Sequence, residues 1–531
     1  MIATADLPDD IDALKAIIRA QQEHHAVQAG VIDRKETRIL QLEKLVADFK
    51  RALFGARSEK VCPEQYELAL EDIEAAQEAV HAEDETDDQQ VSGKSRPRKI
   101  NRGSLPKHLP RFEEIIAPES TTCDCGHERH VIGEDVSERL DIVPAQFRVI
   151  VTRRPKYACR SCESGIVQAP APAHLIPGGM PTEATLAHVI VSKYADHLPL
   201  YRQAQIYGRQ GIDLDRSTLA AWVGRAAFEL RPVYDALMAN LKRSTKLFMD
   251  ETTAPVLGPG RRKTKTGYFW AVARDDRPWD GNAPPGVAFT YAPGRSGHYA
   301  DKILNGFSGV LQVDGYAGYN RLLKRPAQDV QLAYCWAHAR RKLHEVSQTG
   351  TTPIADEGLK QIGKLYRIEN DIRGLSPDAR REARQERSKP IIEAFETWLT
   401  ANRARVSAKS PIGEALKYIA KYWEGLCRFL DDGCIELDSN AVERTIRPIA
   451  LNRKNALFAG HDAGAQNWAM IASLIETCKL NAVDPHAWLA TTLRDIAQGH
   501  KQSDIDALLP WNYKGPTGGQ GHEHHRVEDH A

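Results

Sequence analysis

Two short apolar runs, each ending on a carboxylate, constrain this chain of 531 residues more than any other feature. Leu247-Phe248-Met249 runs into Asp250, and Gly309-Val310-Leu311-Gln312-Val313 runs into Asp314. Apolar runs of about four to eight residues suit buried strands. A third acid, Glu443, stands in Asp438-Ser439-Asn440-Ala441-Val442-Glu443-Arg444, which reads as a helix start. Two strand carboxylates and one helix carboxylate are the hard oxygen donors that Mg²⁺ prefers, with a substrate phosphate completing its shell. A pair of such ions activates an attacking oxygen and stabilises a leaving one. The bland alternative for each acid is a helix cap, a turn acid or a salt-bridge partner. Glu251 competes with Asp250, although strand alternation sends its side chain to the other face. Asp438 competes with Glu443, and its place before the helix suits a turn acid.

The texture around these acids predicts a sheet. Gly267 to Ala273 and Val287 to Tyr291 read as further strands, so antiparallel strands precede a parallel one. The expected fold class is multidomain α+β. An RNase H-like α/β core would begin at 244–338, break for a helical insertion at 339–432 and close with helices at 433–500. Asp250 and Asp314 are 64 positions apart and Glu443 follows 129 later, which leaves room for that insertion. Cys335 and His338 have the two-residue spacing of a metal pair. A structural role, pinning the start of the insertion, is the preferred reading, with Trp336 in the core. Arg444, Arg447, Arg453 and Lys454 follow Glu443 and are candidates for holding DNA phosphates, against a solvated basic face as the alternative. Residues 501–531 read as a disordered His-rich tail.

Upstream, residues 10–55 keep one heptad register from Ile11 to Leu53, with Gln21, His25, Gln28 and Lys35 interrupting it. A coiled coil with a polar middle fits, as does a single amphipathic helix. Residues 56–111 read as an acidic, then basic, linker. Glu67 to Gln90 holds ten acids and no Lys or Arg, and Gly93 to Arg111 holds seven Lys or Arg and no acid. The formal net charge of zero hides this segregation, and local patches govern DNA binding.

Residues 112–178 read as a zinc-ribbon-like module. Cys123, Cys125, Cys159 and Cys162 would supply thiolates to a structural Zn²⁺. The one-residue gap of the first pair strains chelation by both sulfurs, so His127 or His130 is a substitute ligand. Reduced structural cysteines are the alternative. Residues 179–243 read as a helical DNA-binding domain with a helix-turn-helix. Thr182 and Ser217 are the expected caps. No apolar run is long enough to span a membrane, and the N-terminus lacks a signal-peptide pattern. A cytoplasmic, nucleoid-associated protein is the expectation.

Taken together, Leu-Phe-Met-Asp-Glu-Thr around Asp250, Val-Asp-Gly-Tyr-Ala-Gly-Tyr around Asp314, Cys-Trp-Ala-His-Ala-Arg-Arg-Lys from Cys335 and Asn-Ala-Val-Glu-Arg-Thr-Ile-Arg-Pro around Glu443 resemble the transposases of the insertion sequence 66 family, within the DDE superfamily. The later Asn-Arg-Lys-Asn-Ala-Leu-Phe-Ala-Gly and the paired cysteines extend the likeness over nearly the whole chain. The resemblance implies that Asp250, Asp314 and Glu443 are a metal-binding triad for two Mg²⁺ or Mn²⁺ ions. It implies double-stranded DNA as partner, both element terminal repeats and target, with small accessory proteins of the same element, and the heptad segment predicts a homo-oligomer that pairs protomers on two element ends. An RNase H-like nuclease that cuts without joining, and a non-catalytic DNA-binding regulator, remain the alternatives.

Overall fold

The computed structural model describes residues 146–158, 166–258, 263–324, 329–348 and 352–515, with scattered positions between 10 and 25. The chain divides into two units, Met1–Val143 and Pro144–Ala531. In the first, the described positions from Ile11 to His25 are helical. The rest of the expected coiled coil, the linker and the four cysteines expected to hold zinc lie outside the described residues, as do residues 516–531 of the expected tail. The start of that tail, expected to be disordered from 501, is instead ordered: Gln502–Leu508 and Pro510–Asn512 are 3-10 turns, held because Leu508 and Leu509 are buried in the core and the Trp488 indole N–H donates to the Leu508 carbonyl.

The second unit opens with an antiparallel hairpin, β1 (Lys156–Ala158) and β2 (Ile166–Gln168), whose strands flank Cys159 and Cys162 in the chain. Three helices follow: α1 (Glu183–Tyr194), α2 (Leu200–Gly208) and α3 (Arg216–Lys242). The Thr182 hydroxyl accepts the Thr185 N–H and caps α1, as expected. The cap of α3 is Asp215, not Ser217: the Asp215 carboxylate accepts the Ser217 N–H at 2.7 Å. A charged acceptor at the positive end of a helix outcompetes a hydroxyl two positions later. Helix α3 runs on through Pro232 because its apolar face, with Leu230, Val233 and Leu237, is fully buried. These helices share one hydrophobic core with the sheet that follows.

That sheet has the order β5-β4-β3-β6-β7. β3 (Lys246–Leu257), β4 (Thr264–Arg274) and β5 (Gly286–Ala292) form an antiparallel meander. β6 (Gly309–Val313) and β7 (Val330–Tyr334) add in parallel on the other side of β3, with α4 (Gly297–Ile303) before β6. Strand β3 does not stop at Asp250. Its pairing with β4 continues from Phe248↔Ala273 to Leu257↔Thr264, so Asp250 lies inside a long strand. Beyond β7 come α5 (Trp336–Ser347), α6 (Pro353–Asp371), α7 (Pro377–Ala383), α8 (Lys389–Arg405), α9 (Pro411–Lys421) and α10 (Trp423–Cys427). The chain closes with α11 (Asn440–Ala456), α12 (Asp462–Leu480) and α13 (Pro485–Ala497).

Helix α12 seals the outer edge of the sheet. Its Ser473 hydroxyl accepts the Phe289 N–H, and its Thr477 hydroxyl accepts the Val287 N–H and donates back to the Val287 carbonyl. Tyr234 of α3 donates to the Phe289 carbonyl. Outward-facing backbone groups of a buried edge strand are costly unless paired, and three hydroxyls do that here.

Helices α5 to α10 enclose a second core around Trp336, Phe395 and Trp423. A buried ionic network ties this core to the segment leading into α11. Arg384, fully buried, binds both oxygens of Glu369 and donates to the carbonyls of Phe429 and Asp432. Arg380 bridges Glu369 and Glu436 and donates to the Gly433 carbonyl. Removing one partner of such a pair strands buried charge, so Arg384→Ala should cost about 3–5 kcal/mol in denaturant unfolding. A loss below about 1 kcal/mol would show that the network is dispensable.

Candidate active site

Asp250 sits where the meander meets the parallel strands. Among the described residues its carboxylate accepts a hydrogen bond only from the Glu251 N–H, at 2.8 Å. Burial pushes its carboxyl from 3.8 up to about 8, and the charges of Glu251, Asp314 and Glu443 push the same way. Glu251 is nearby but committed. Its two oxygens are taken by the Arg295 guanidinium at 2.5 Å and the Tyr319 hydroxyl at 2.6 Å. Arg295 in turn lies over the Tyr316 ring, whose hydroxyl donates to the Arg295 carbonyl. Of two adjacent acids, one is therefore held by protein and the other is left available. Sequence reasoning finds the pair but not the Arg295–Tyr319 clamp, whose residues come from the loop before α4 and from a 3-10 helix at Ala317–Lys324 after β6.

Asp314 follows the last residue of β6, and its carboxylate accepts the Tyr316 N–H in a tight turn. The glycine between them is required by packing. A Cβ on Gly315 would lie 2.7 Å from the Tyr418 hydroxyl and 2.8 Å from the Tyr422 ring, and Tyr422 donates to the Gly315 carbonyl. The helical insertion thus presses directly on the turn that aims Asp314.

Glu443 lies in the first turn of α11, and both ends of that helix are tied to the sheet. At the start, fully buried Gln312 of β6 donates to the carbonyls of Glu436 and Asp438 and accepts the Glu436 N–H. At the finish, Arg453 donates to the carbonyl and hydroxyl of Thr253 on β3, and just past the helix Ala459 accepts the Leu257 N–H and donates to the Pro255 carbonyl of that strand. Asp438 is a turn acid, as expected: its carboxylate accepts the backbone and side-chain N–H groups of Asn440. Asp250 and Asp314, from the neighbouring strands β3 and β6, and Glu443 from α11 are thereby in electrostatic reach of one another.

Cys335 and His338 join this constellation. The Cys335 sulfur accepts the Ser439 N–H at 3.2 Å, and the Trp336 N–H donates to the Leu437 carbonyl. These bonds pin the start of α5 to the segment before α11, the structural role expected there, through Cys335 and the Trp336 backbone and without His338. His338 Nδ1 stands 4.0 Å from Glu443, and Arg341 approaches the other Glu443 oxygen at 3.9 Å. Burial lowers the His338 pKa, opposed by Glu443. On α11, Arg444, Arg447 and Lys454 are exposed, whereas Arg453 is half-buried and engaged with Thr253. Arg444 also lines a polar cavity of about 250 Å³ with Tyr366, Arg373 and Glu436.

A family model described as "Transposase IS66 family" matches residues 178–467, and "IS66 C-terminal element" matches 473–511. The chain belongs to the IS66 transposase family. Within the family's architecture, residues 120–163 match its "zinc-finger binding domain of transposase IS66", which covers Cys123, Cys125, Cys159 and Cys162. Residues 41–113 match "Transposase C of IS166 homeodomain". That second match overlaps the end of the expected coiled coil and the segment read as linker. The expected helix-turn-helix at 179–243 falls inside the transposase match. Two uncharacterized proteins of Sinorhizobium fredii (strain NBRC 101917 / NGR234) are similar throughout. y4qI is 44% identical over 97% of this chain and 99% of its own length, and y4jD is 45% identical over 92% and 98%. Among the described residues no helix is long and apolar enough to cross a membrane.

The raised carboxyl of Asp250 gives this IS66-family chain a pH signature. A folded-state pKa of about 8 against an ordinary 3.8 means that stability present at low pH is lost as pH rises through about 8. Asp250→Asn removes the buried charge. In chelator, its melting temperature should exceed that of the native chain, by more at about pH 9 than at about pH 5. Equal differences at both pH values would contradict the electrostatic account.

Proposed function

We propose that this chain is a DNA transposase with an RNase H-like core that cuts and joins DNA at the ends of its element through Asp250, Asp314 and Glu443. The observation that carries the reading is the convergence of these three carboxylates, with the Asp250 carboxylate left uncommitted beside a deliberately neutralised Glu251. Supporting it, three antiparallel strands followed by two parallel ones place two of the acids on adjacent strands, and a helix tied to both strands supplies the third. The donor set is all oxygen and suits Mg²⁺ or Mn²⁺. A pair of such cations would activate the attacking hydroxyl and stabilise the leaving oxygen.

The chain's own residues supply positioning. Gln312, Cys335 and Trp336 hold the start of α11, and the Thr253–Arg453 contact holds its end, so Glu443 meets the substrate with little reorganisation. Exposed Arg444, Arg447 and Lys454 run along the same helix and meet phosphates flanking the scissile bond. In cleavage, an O–P bond forms from water and the P–O3′ bond breaks. In joining, the freed 3′ hydroxyl attacks a target phosphodiester in the same way. No covalent protein–DNA intermediate is required. The zinc-finger module, with Cys123, Cys125, Cys159 and Cys162 on Zn²⁺, and the homeodomain-like segment would recognise the terminal inverted repeats. The heptad segment at 10–55 would pair protomers on two element ends, with small accessory proteins of the same element assisting.

The test is strand transfer by purified protein with Mg²⁺ or Mn²⁺ and a labelled duplex carrying the element end. Joined product should form with the native chain and fall by more than about a hundredfold in Asp314→Asn and Glu443→Gln. Cleavage without joining would favour a nuclease. Specific binding with no chemistry, even after accessory proteins are added, would favour a regulator.

A further inference from the structure

Glu443 has a second set of neighbours whose chemistry differs from that of the two aspartates. The Cys335 sulfur, a His338 ring nitrogen and a Glu443 oxygen all lie within 4.8 Å of one another. Independently, His338 Nδ1 is buried without a hydrogen-bond partner, although it stands 4.0 Å from the Glu443 carboxylate. A buried ring nitrogen left unpaired is costly, and it marks a place where a ligand completes the structure. Cys335 is a free, buried thiol.

We propose that Cys335, His338 and Glu443 form a site for a borderline-soft divalent cation, Zn²⁺, overlapping the hard-cation site of the aspartates. A thiolate, an imidazole and a carboxylate with a fourth position open is a donor set for tetrahedral zinc, and a poor one for Mg²⁺. The mixed set also follows from the fold. Cys335 caps α5, His338 lies one turn further on the same face, and Glu443 is brought to them by the Ser439–Cys335 bond. Arg341, half exposed on α5, is 3.9 Å from the other Glu443 oxygen and must swing outward as the cation enters. On binding, the Cys335 S–H loses its proton to solvent and an S–Zn bond forms.

The consequence is antagonism. A carboxylate drawn toward Cys335 and His338 is withdrawn from the Asp250–Asp314 side, so Zn²⁺ would inhibit chemistry supported by Mg²⁺. This consequence rests on the catalytic reading of Glu443, whereas occupancy of the site does not.

Two readouts separate the claims. The full chain is loaded with Zn²⁺, desalted and its zinc counted. Native protein should retain about one more zinc than Cys335→Ser and than His338→Gln, the zinc-finger ion being common to all three. His338→Gln keeps a polar group at a partly exposed position and guards against a Cys335 variant that fails to fold. Equal zinc in folded native and variant chains overturns the site. In the cleavage assay, Zn²⁺ added over Mg²⁺ should inhibit the native chain, and the concentration for half inhibition should rise by at least about tenfold in His338→Gln relative to its own uninhibited rate. Extra zinc without inhibition would retain the site and sink the antagonism.

Discussion

Acids crowded into a half-buried place repel one another, and the rest of this structure is arranged around that repulsion. Burial and three neighbouring carboxylates together hold the Asp250 carboxyl up at about 8. A chain free to relax would spread these groups apart. The fold prevents it with contacts that are mostly apolar or backbone and do not themselves neutralise the acids. The strongest exception is Glu251, which receives Arg295 and Tyr319 in short hydrogen bonds, whereas Arg341 only approaches Glu443 at 3.9 Å. Neutralising one acid of the four leaves a net negative centre whose repulsion a cation would relieve, in keeping with the proposed metal site.

Rigidity at that centre comes from distance in sequence. Gln312, two residues before Asp314, bonds to the segment leading into the Glu443 helix 124 positions later. Arg453, ten residues beyond Glu443, bonds back to the strand of Asp250. Each tie uses a side chain to replace a backbone rung. The helical insertion fits between the ties without loosening them, because its buried Arg380 reaches Gly433 and Glu436 in the same segment and is braced by Glu369, which also pairs with Arg384. Its tyrosines Tyr418 and Tyr422 then close over Gly315. The insertion is therefore part of the site's frame.

How much of this was legible depends on how local each signal is. The strands β4, β5 and β6 are legible because their apolar runs are continuous and bounded by Gly or Pro. β7 is not, since Gln331 and Ala333 dilute its pattern and its neighbour β6 is what selects it. The extent of β3 beyond Asp250 is set by pairing with β4, and no property of Glu251 or Thr252 announces it. The cap of α3 is misplaced by two residues because Asp215 and Ser217 are both good caps and only geometry decides. Asp250, Asp314 and Glu443 stand out from local context and family likeness. Gln312, Arg295 and Tyr319 do not, because a buried glutamine, or a clamp between a loop and a short 3-10 helix, carries no periodicity.

The Cys335–His338 pair shows where a structural role and a chemical one share residues. Pinning α5 to the segment before α11 needs only the sulfur as an acceptor and the Trp336 backbone. It does not need an imidazole, and a ring left with an unpaired buried nitrogen costs stability that an alanine or leucine would not. The pinning bond also fixes how far the Glu443 carboxylate lies from that ring, since Ser439 and Glu443 share the first turn of one helix. Any device that aims Glu443 at the aspartates from this side must therefore bring it past His338. In the proposed arrangement the hard and soft donors would share one carboxylate, and the ties that hold its helix, Ser439 to Cys335 on one side and Gln312 and Arg453 to the sheet on the other, would act on both sets at once.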